Sequence, residues 1–297
     1  DRGLRIFSFI TNLILKGVLL LENEANDFLA TEKISKLMTK FAVPCVISLL
    51  IGAIYNITDQ IFIGRGVGYL GNGATNVVFP LTVIALAIAT MIGDGACTFI
   101  SISLGRKDSE SAHRTVGNAV ILALVLSVIL TLVYSLFQTQ ILHLFGATEG
   151  NMAYAKEYFS YIMLGIPFYM FGQAINPIMR SDGSPRYAMV ATLAGAILNV
   201  ILDPIAIFVL DWGMAGAALA TVIGQILTAI LSVAYLFKMK AVKLRRTSFV
   251  IKTEIICKFI PLGFCSLLSQ GAMVISWAFT NNMLVKYGVL SEYGADI

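Results

Sequence analysis

Seven apolar segments, each about as long as a lipid bilayer is thick, constrain this chain more than any other feature of its sequence. A helix needs roughly 20 consecutive apolar residues to cross the hydrocarbon core. Spanning strands are about half that length, whereas a helix pairs all its own backbone polar groups inside lipid. The sequence therefore predicts an all-α membrane protein with spanning helices at approximately 41–63, 74–104, 116–137, 154–177, 188–210, 214–237 and 259–285.

The composition agrees with a membrane protein. Of the 297 residues, 58% are hydrophobic and 13% are charged, whereas a soluble domain is about half apolar and a quarter charged. The expected surrounding is a lipid bilayer, and the net charge of +4 gives no indication of nucleic-acid binding. Cys45, Cys97, Cys257 and Cys265 lie in or beside apolar segments without a CxxC pair, so we expect reduced thiols that serve packing.

Lysine and arginine are distributed unevenly among the connections. They are abundant before the first segment, between the second and third, between the fourth and fifth, and after the sixth. The alternate connections hold only Arg65, Lys156 and Lys286. Because cytoplasmic loops collect basic residues, the sequence predicts that the N-terminal end of the first helix faces the cytoplasm.

The chain divides into three parts. Residues 1–33 read as an N-terminal leader, in which 1–21 is either an interfacial helix or sequence upstream of a true start near Leu21. Residues 34–250 hold six spans, and a polar, strongly basic linker over 238–258 joins them to the next part. Residues 251–297 loosely echo the first span, with Phe, an early Pro, Ser-Leu-Leu and a closing Gly. We interpret them as the start of a second, truncated half, since transporter folds often consist of two related halves.

Three acidic residues lie inside the apolar segments: Asp59, Asp94 and Asp203. A charge in the membrane interior is costly, so such residues are candidates for function. At about 1.5 Å of rise per residue, Asp59 and Asp203 both lie roughly 6–10 Å inside the outer ends of their segments. Asp94 stands between two glycines in the long second segment. It could have a functional role, a structural role at a helix contact, or a position near cytoplasmic water.

Three further polar residues, Tyr158, Asn199 and Thr221, lie at a depth similar to that of Asp59 and Asp203. Asn199 precedes Asp203 by four residues and therefore shares its helix face. Together the five residues predict a hydrated polar pocket in the outer half of the membrane. Taken singly, each could instead be an ordinary helix-packing or interfacial residue.

Two carboxylates at close range in a medium of low dielectric resist joint ionisation. Asp59 and Asp203 could therefore take up a proton, or hold a small cation such as Na⁺ through their oxygens, and the sequence leaves that choice open. No organic cofactor and no other metal is indicated. The absence of Walker, Ser-His-Asp and metal-ligand signatures argues against an enzyme. The enzyme alternative is an intramembrane aspartic protease, which also uses paired aspartates.

Three stretches resemble the multidrug and toxin extrusion (MATE) transporters, and especially their Gram-positive multidrug efflux branch. VPCVISLLIGAIYNITDQIFIGRGVGYLGNGA is similar to the family's first helix and following loop. NPIMRSDGSPRYAMVATLAGAILNVILDPIAIF is similar to its fourth-to-fifth helix region, and LLSQGAMVISWAFTNNMLVKYG to its seventh helix. The resemblance covers about 22–297. It implies a fold of twelve helices in two lobes, of which this chain would hold the six-helix N-lobe bundle and a seventh helix.

The resemblance also implies residue roles. The family's cation site would correspond to Asp59, Tyr158, Asn199, Asp203 and Thr221, with Asn176 as a further polar position on the fourth helix. Pro44 would match a first-helix proline at which the helix bends, since proline frees a backbone carbonyl.

The function implied by the resemblance is antiport in a bacterial cell membrane. H⁺ or Na⁺ entry would drive export of cationic or amphipathic drugs, and the missing C-lobe would be a required partner. The alternatives are a flippase for lipid-linked oligosaccharides from the same superfamily, and a non-transporting assembly or sensor subunit. A flippase would favour a cationic cleft, whereas the spans here hold acids and almost no basic residues.

Overall fold

In the part of the chain that the structure describes, seven long helices run alternately up and down. The computed structural model describes residues 33–242, 244 and 246–288. All seven helices are long and apolar enough to cross a membrane, which confirms the predicted spans. The leader lies outside the described residues apart from Lys33, as does the chain after Gly288. The helices are α1 (Ile34–Gly66), α2 (Tyr69–Gly105), α3 (Ser109–Leu136), α4 (Met152–Ser181), α5 (Pro185–Pro204), α6 (Gly213–Leu236) and α7 (Thr253–Gly288).

Three short elements interrupt or join these helices. A short helix, Gln138–Leu144, follows α3, and a 3₁₀ turn, Arg246–Phe249, precedes α7. A π-helical turn, Ile205–Val209, follows directly on α5. Pro204 at the end of α5 has no N–H for the carbonyl of residue 200, so the regular hydrogen-bond ladder stops there. Single π turns of this kind are frequent at functional sites.

Helices α2 and α4 form the centre of the bundle. Of their most apolar stretches, 56% and 67% of residues are buried, against 11% in both α1 and α7. The central helices therefore bury their apolar side chains against protein, while α1 and α7 leave most of theirs on the outside. This arrangement is a six-helix bundle with the seventh helix packed on one side of it.

Glycines permit close helix crossings, as they commonly do in membrane bundles. At the crossing of α5 and α6, a Cβ on Gly195 would lie 2.6 Å from the carbonyl oxygen of Gly224. At the crossing of α2 and α4, a Cβ on Gly93 would lie 2.6 Å from the carbonyl oxygen of Ala174. In both places the backbones touch, so no larger residue fits without a shift.

Helix α7 packs along α2. Gly95 and Gly263 meet backbone to backbone, and a Cβ on either would overlap the other helix. Beside this crossing the Ser266 hydroxyl donates to the Asp94 carboxylate over 2.7 Å. Asp94 therefore joins α2 to α7, and among the three alternatives its contacts favour the structural role.

The two ends of the bundle differ in charge. We call the end that carries 106–108, 182–184 and 238–252 the basic end, and the end that carries 67–68, 145–151 and 210–212 the opposite end. All four cysteines are free thiols, of which Cys45 and Cys97 are half-buried and Cys257 and Cys265 are exposed, and their role in packing stays a prediction. The described residues of the linker after α6, at 238–242 and 246–252, lie on the surface of the basic end.

Candidate cation site

The first helix reaches the fifth near the opposite end of the bundle. Gly66 at the end of α1 packs on Ile207 of the π-helical turn, where a Cβ would overlap the Ile207 side chain. One turn back, the rings of Phe62 and Phe208 meet edge to face at 6.2 Å. These contacts fix α1 against the turn that follows Asp203, and so they bring Asp59 to Asp203.

Asp59 and Asp203 form a buried pair of carboxyl groups. Asp203 is fully buried and Asp59 is 7% exposed. Their side chains lie within hydrogen-bonding reach of each other. Two such groups cannot both be ionised without strong repulsion, because little solvent is present to screen them. The structure thus brings together the two acids that the sequence singles out.

Asn199 connects the carboxyl pair to the sixth helix. Its Nδ2 donates to Asp203 Oδ1 over 3.2 Å and lies 3.2 Å from the Thr221 hydroxyl, to which it also donates. The Gly195–Gly224 crossing makes this contact possible, because Gly195 precedes Asn199 by one turn and Gly224 follows Thr221 by one turn. The backbone contact between the two glycines therefore places Asn199 and Thr221 close enough to form a hydrogen bond.

Two tyrosines complete the pocket. Tyr158 of α4 and Tyr55 of α1 both lie beside Thr221 and near both carboxyl groups. Tyr158 is among the residues named from the sequence, and Tyr55 is not. The sequence spacing could have indicated Tyr55, because it precedes Asp59 by four residues and so lies on the same face of α1.

Three oxygens in this cluster have no hydrogen-bond donor among the described residues. They are Asp59 Oδ1, Asp203 Oδ2 and Asn199 Oδ1, and all three are buried. Buried polar atoms are almost always paired in proteins. The group therefore has room for a proton or for a small cation bound through oxygen.

A cavity of about 340 Å³ lies directly beside the carboxyl pair, between α1, α2, α4, α5 and α6. Besides Asp59 and Asn199, its walls include amide and hydroxyl side chains such as Gln173, Gln225 and Thr228. The described residues that line it include no lysine or arginine. A cation can enter such a cavity without meeting a fixed positive charge.

Three further residues named from the sequence, Asn176, Asp94 and Pro44, lie away from the carboxyl pair. Asn176 donates to Ala188 O over 3.2 Å and to Thr192 Oγ1 over 3.0 Å, so it joins α4 to α5 nearer the basic end. Asp94 binds Ser266, as described above. Pro44 is buried in α1, which continues through it as one helix, and its role as a hinge stays a prediction.

Comparison with known proteins gives consistent matches. The MatE family model matches residues 44–205. The multidrug export protein MepA of Staphylococcus saprophyticus is 28% identical over 281 residues, which cover 92% of this chain and 61% of the relative. MepA of Staphylococcus aureus strain MSSA476 is 29% identical over 281 residues, which again cover 92% of this chain and 61% of the relative.

A solved structure of the MATE multidrug transporter DinF-BH is also similar. It superposes with a TM-score of 0.82 at 34% identity, over 87% of this chain and 58% of that one. These relatives are named as export and transport proteins rather than enzymes, as the sequence predicts. The chain spans about three fifths of the length of the curated relatives it matches.

Proposed function

This chain belongs to the multidrug and toxin extrusion (MATE) family, and on that basis we propose that it forms part of a cation-coupled antiporter that exports cationic or amphipathic drugs. In this proposal residues 34–250 are the N-lobe, residues 251–297 begin the C-lobe, and the remainder of the C-lobe is the partner that completes the transporter. The family match and the multi-span helical fold place the chain in a membrane.

The observation that carries the proposal is the set of three buried, unpaired oxygens around Asp59 and Asp203. A bound proton or Na⁺ would pair these oxygens and remove the repulsion between the carboxyl groups. Loss of that cation would restore the repulsion. The free energy of the pocket would therefore depend on whether a cation is bound, which is the property that an antiporter requires.

The coupling follows from where Asp59 lies. It is on α1, which carries Pro44 fifteen residues earlier and leaves most of its surface unburied. We expect cation binding to draw α1 towards α5, and cation loss to release it. A cation drives such a change only by binding the two positions of α1 with different affinity. The drug, bound in the adjoining cavity, would lose affinity in the cation-bound position.

The proposed orientation follows the positive charges. The basic end would face the cytoplasm and the opposite end the outside of the cell. The carboxyl pair, which lies towards the opposite end, would then be within reach of external cations. Since the relatives described above are bacterial, we expect the bacterial plasma membrane.

Two alternatives are less well supported by the geometry. A flippase for lipid-linked oligosaccharides would have to bind a pyrophosphate, yet the described lining of the cavity includes Asp59 and no lysine or arginine. A non-transporting assembly or sensor subunit would have no need of a buried carboxyl pair. Neither alternative accounts for the unpaired oxygens.

Efflux of a fluorescent cationic dye from vesicles that contain the complete protein tests the proposal. A pH gradient and a Na⁺ gradient are imposed separately, so that the driving ion is identified. We expect one of the two to drive dye transport against its concentration gradient. Dye movement that neither gradient affects would contradict the proposal, and transport of a lipid-linked sugar instead would favour the flippase.

A further inference from the structure

The connection between α6 and α7 is attached to the bundle at its first residues. Asp182, fully buried in the turn between α4 and α5, accepts four hydrogen bonds. Its Oδ2 receives the Tyr235 hydroxyl over 2.6 Å and the Lys240 N–H over 2.8 Å. Its Oδ1 receives the Ala241 N–H over 2.8 Å and the Val242 N–H over 3.2 Å. One carboxylate thus binds three successive backbone N–H groups of a different connection.

The turn that carries Asp182 is itself well defined. Gly183, at φ 82°, ends α4 in the left-handed conformation that favours glycine. Its N–H and that of Ser184 donate back to the carbonyls of Arg180 and Met179. Burial raises the pKa of the Asp182 carboxyl above its usual range, and the four donors act in the opposite direction.

A second attachment holds the last residues of the connection. The amide of Asn118, on α3 and 1% exposed, donates to Val250 O over 3.3 Å and accepts from Lys252 N over 2.9 Å. Next to it, Gly117 lies so close to the Ser248 carbonyl that a Cβ would overlap it. Lys252 immediately precedes α7, so this contact determines where α7 begins.

We propose that Asp182 and Asn118 are positioning residues that clamp the two described ends of the connection, 238–242 and 246–252, to the basic end and thereby hold the base of α7 in a fixed place on the six-helix bundle. Both ends of the connection are then held rigidly on the bundle. Movement of α7 relative to α2 begins beyond Thr253, with the Gly95–Gly263 crossing about ten residues along. The consequence for transport rests on the function proposed above, whereas the attachment itself does not.

Trypsin cleavage of the complete protein in detergent tests the attachment. The connection offers Lys238, Lys240, Lys243, Arg245 and Arg246 as cleavage sites, and a clamped strand resists the protease because cleavage requires local opening. Asp182→Asn replaces one acceptor oxygen with a donor that faces backbone N–H groups. We expect cleavage within 238–246, mapped by mass spectrometry, to become at least tenfold faster.

Asp108→Asn is the matched control. Asp108 lies at the same end and caps α3 by accepting the Ser111 N–H over 3.0 Å, and asparagine caps a helix equally well. We expect its cleavage rate to equal that of the wild type. An unchanged rate in Asp182→Asn, or the same acceleration in Asp108→Asn, would overturn the attachment.

A second pair of variants leaves the Asp182 carboxylate in place and changes the backbone at residue 240. This pair tests the contact even if the Asp182→Asn protein does not fold. Lys240→Pro removes one N–H donor to Asp182, and Lys240→Ala retains it. We expect faster cleavage in the proline variant alone. Equal rates in the two variants would overturn the contact.

Transport kinetics test the positioning role separately. Because the connection lies at the basic end and not in the cavity wall, we expect Asn118→Ala and Asp182→Asn to lower kcat for dye efflux about fivefold or more and to leave KM unchanged. A raised KM with unchanged kcat would overturn the positioning role. Since proteolysis requires no transport, a failure of the proposed function does not affect the cleavage result.

Discussion

Asp203 lies in a run of apolar residues, fully buried, with a second carboxyl group beside it. Its amide neighbour Asn199 gives it one hydrogen bond, and the turn of helix after it is a π turn begun by Pro204. A charged residue in such a position is costly unless it is paired. The cost is acceptable if the pair normally shares a proton or a small cation.

Replacing either acid by its amide should abolish coupling. Asp59→Asn and Asp203→Asn preserve size and remove the switchable charge, so we expect gradient-driven dye efflux from cells to fall at least tenfold with expression intact. Asp211→Asn is the control, because Asp211 is exposed and its positive φ of 54° is one that asparagine tolerates. Wild-type drug resistance in either site variant would contradict the assignment.

Tyr55 should contribute through its hydroxyl group. Tyr55→Phe removes the hydroxyl group that lies beside Thr221 and keeps the ring, and one hydrogen bond is worth about 1 kcal/mol. We therefore expect efflux to fall about fivefold, less than in the Asp59 variant. Tyr69→Phe, at a tyrosine that is 60% exposed, should transport dye at the wild-type rate. An effect of equal size in both variants would remove Tyr55 from the site.

The sequence revealed the acids more readily than their supporting residues. Asp59 and Asp203 stand out because carboxylates are rare in apolar runs. Tyr55 does not, because tyrosine is ordinary in membrane helices and only its spacing from Asp59 indicates a role. Asp182 was missed for a different reason. It lies in a polar turn, where the sequence contains no sign that the side chain is buried.

At the scale of the helices, glycine contacts determine which side chains meet. The Gly195–Gly224 crossing brings Asn199 to Thr221, and the Gly95–Gly263 crossing brings Asp94 to Ser266. In membrane bundles such contacts depend on packing, since lipid supplies no hydrophobic force between helices.

Adding a methyl group at the α2–α7 crossing should weaken it. A Cβ on Gly263 would overlap the Met91 carbonyl, and overpacking of this kind costs about 1–3 kcal/mol. We expect Gly263→Ala to lower the Tm of the purified complete protein. Gly271→Ala is the control on the same helix, because no heavy atom lies within 4 Å of its added Cβ. A Tm for Gly263→Ala equal to that of Gly271→Ala would contradict the close crossing.

At the scale of the whole molecule, the fold was accessible from hydropathy and loop charge. Each apolar segment became a helix, usually longer than the segment by several residues, because the polar ends of helices carry no hydropathy signal. The polar stretch after the sixth helix reads as a linker. Its attachment to Asp182 and Asn118 was not visible, because it depends on backbone N–H groups that are the same in every sequence.

The whole-molecule account also requires that cation and drug affect each other's binding. If the two bind different positions of α1, each must lower the affinity of the other by the same factor. The carboxyl pair is the element through which the cation acts. Without it, the drug should bind with an affinity independent of the cation.

The most direct test is the equilibrium Kd of a fluorescent cationic dye for the purified complete protein. It is measured against Na⁺ concentration at fixed pH and against pH at fixed Na⁺. We predict that one cation raises the Kd of the wild-type protein at least tenfold and leaves that of Asp203→Asn unchanged. The same cation dependence in Asp203→Asn, or none in the wild type, would contradict the claim that the buried carboxyl pair couples cation to drug.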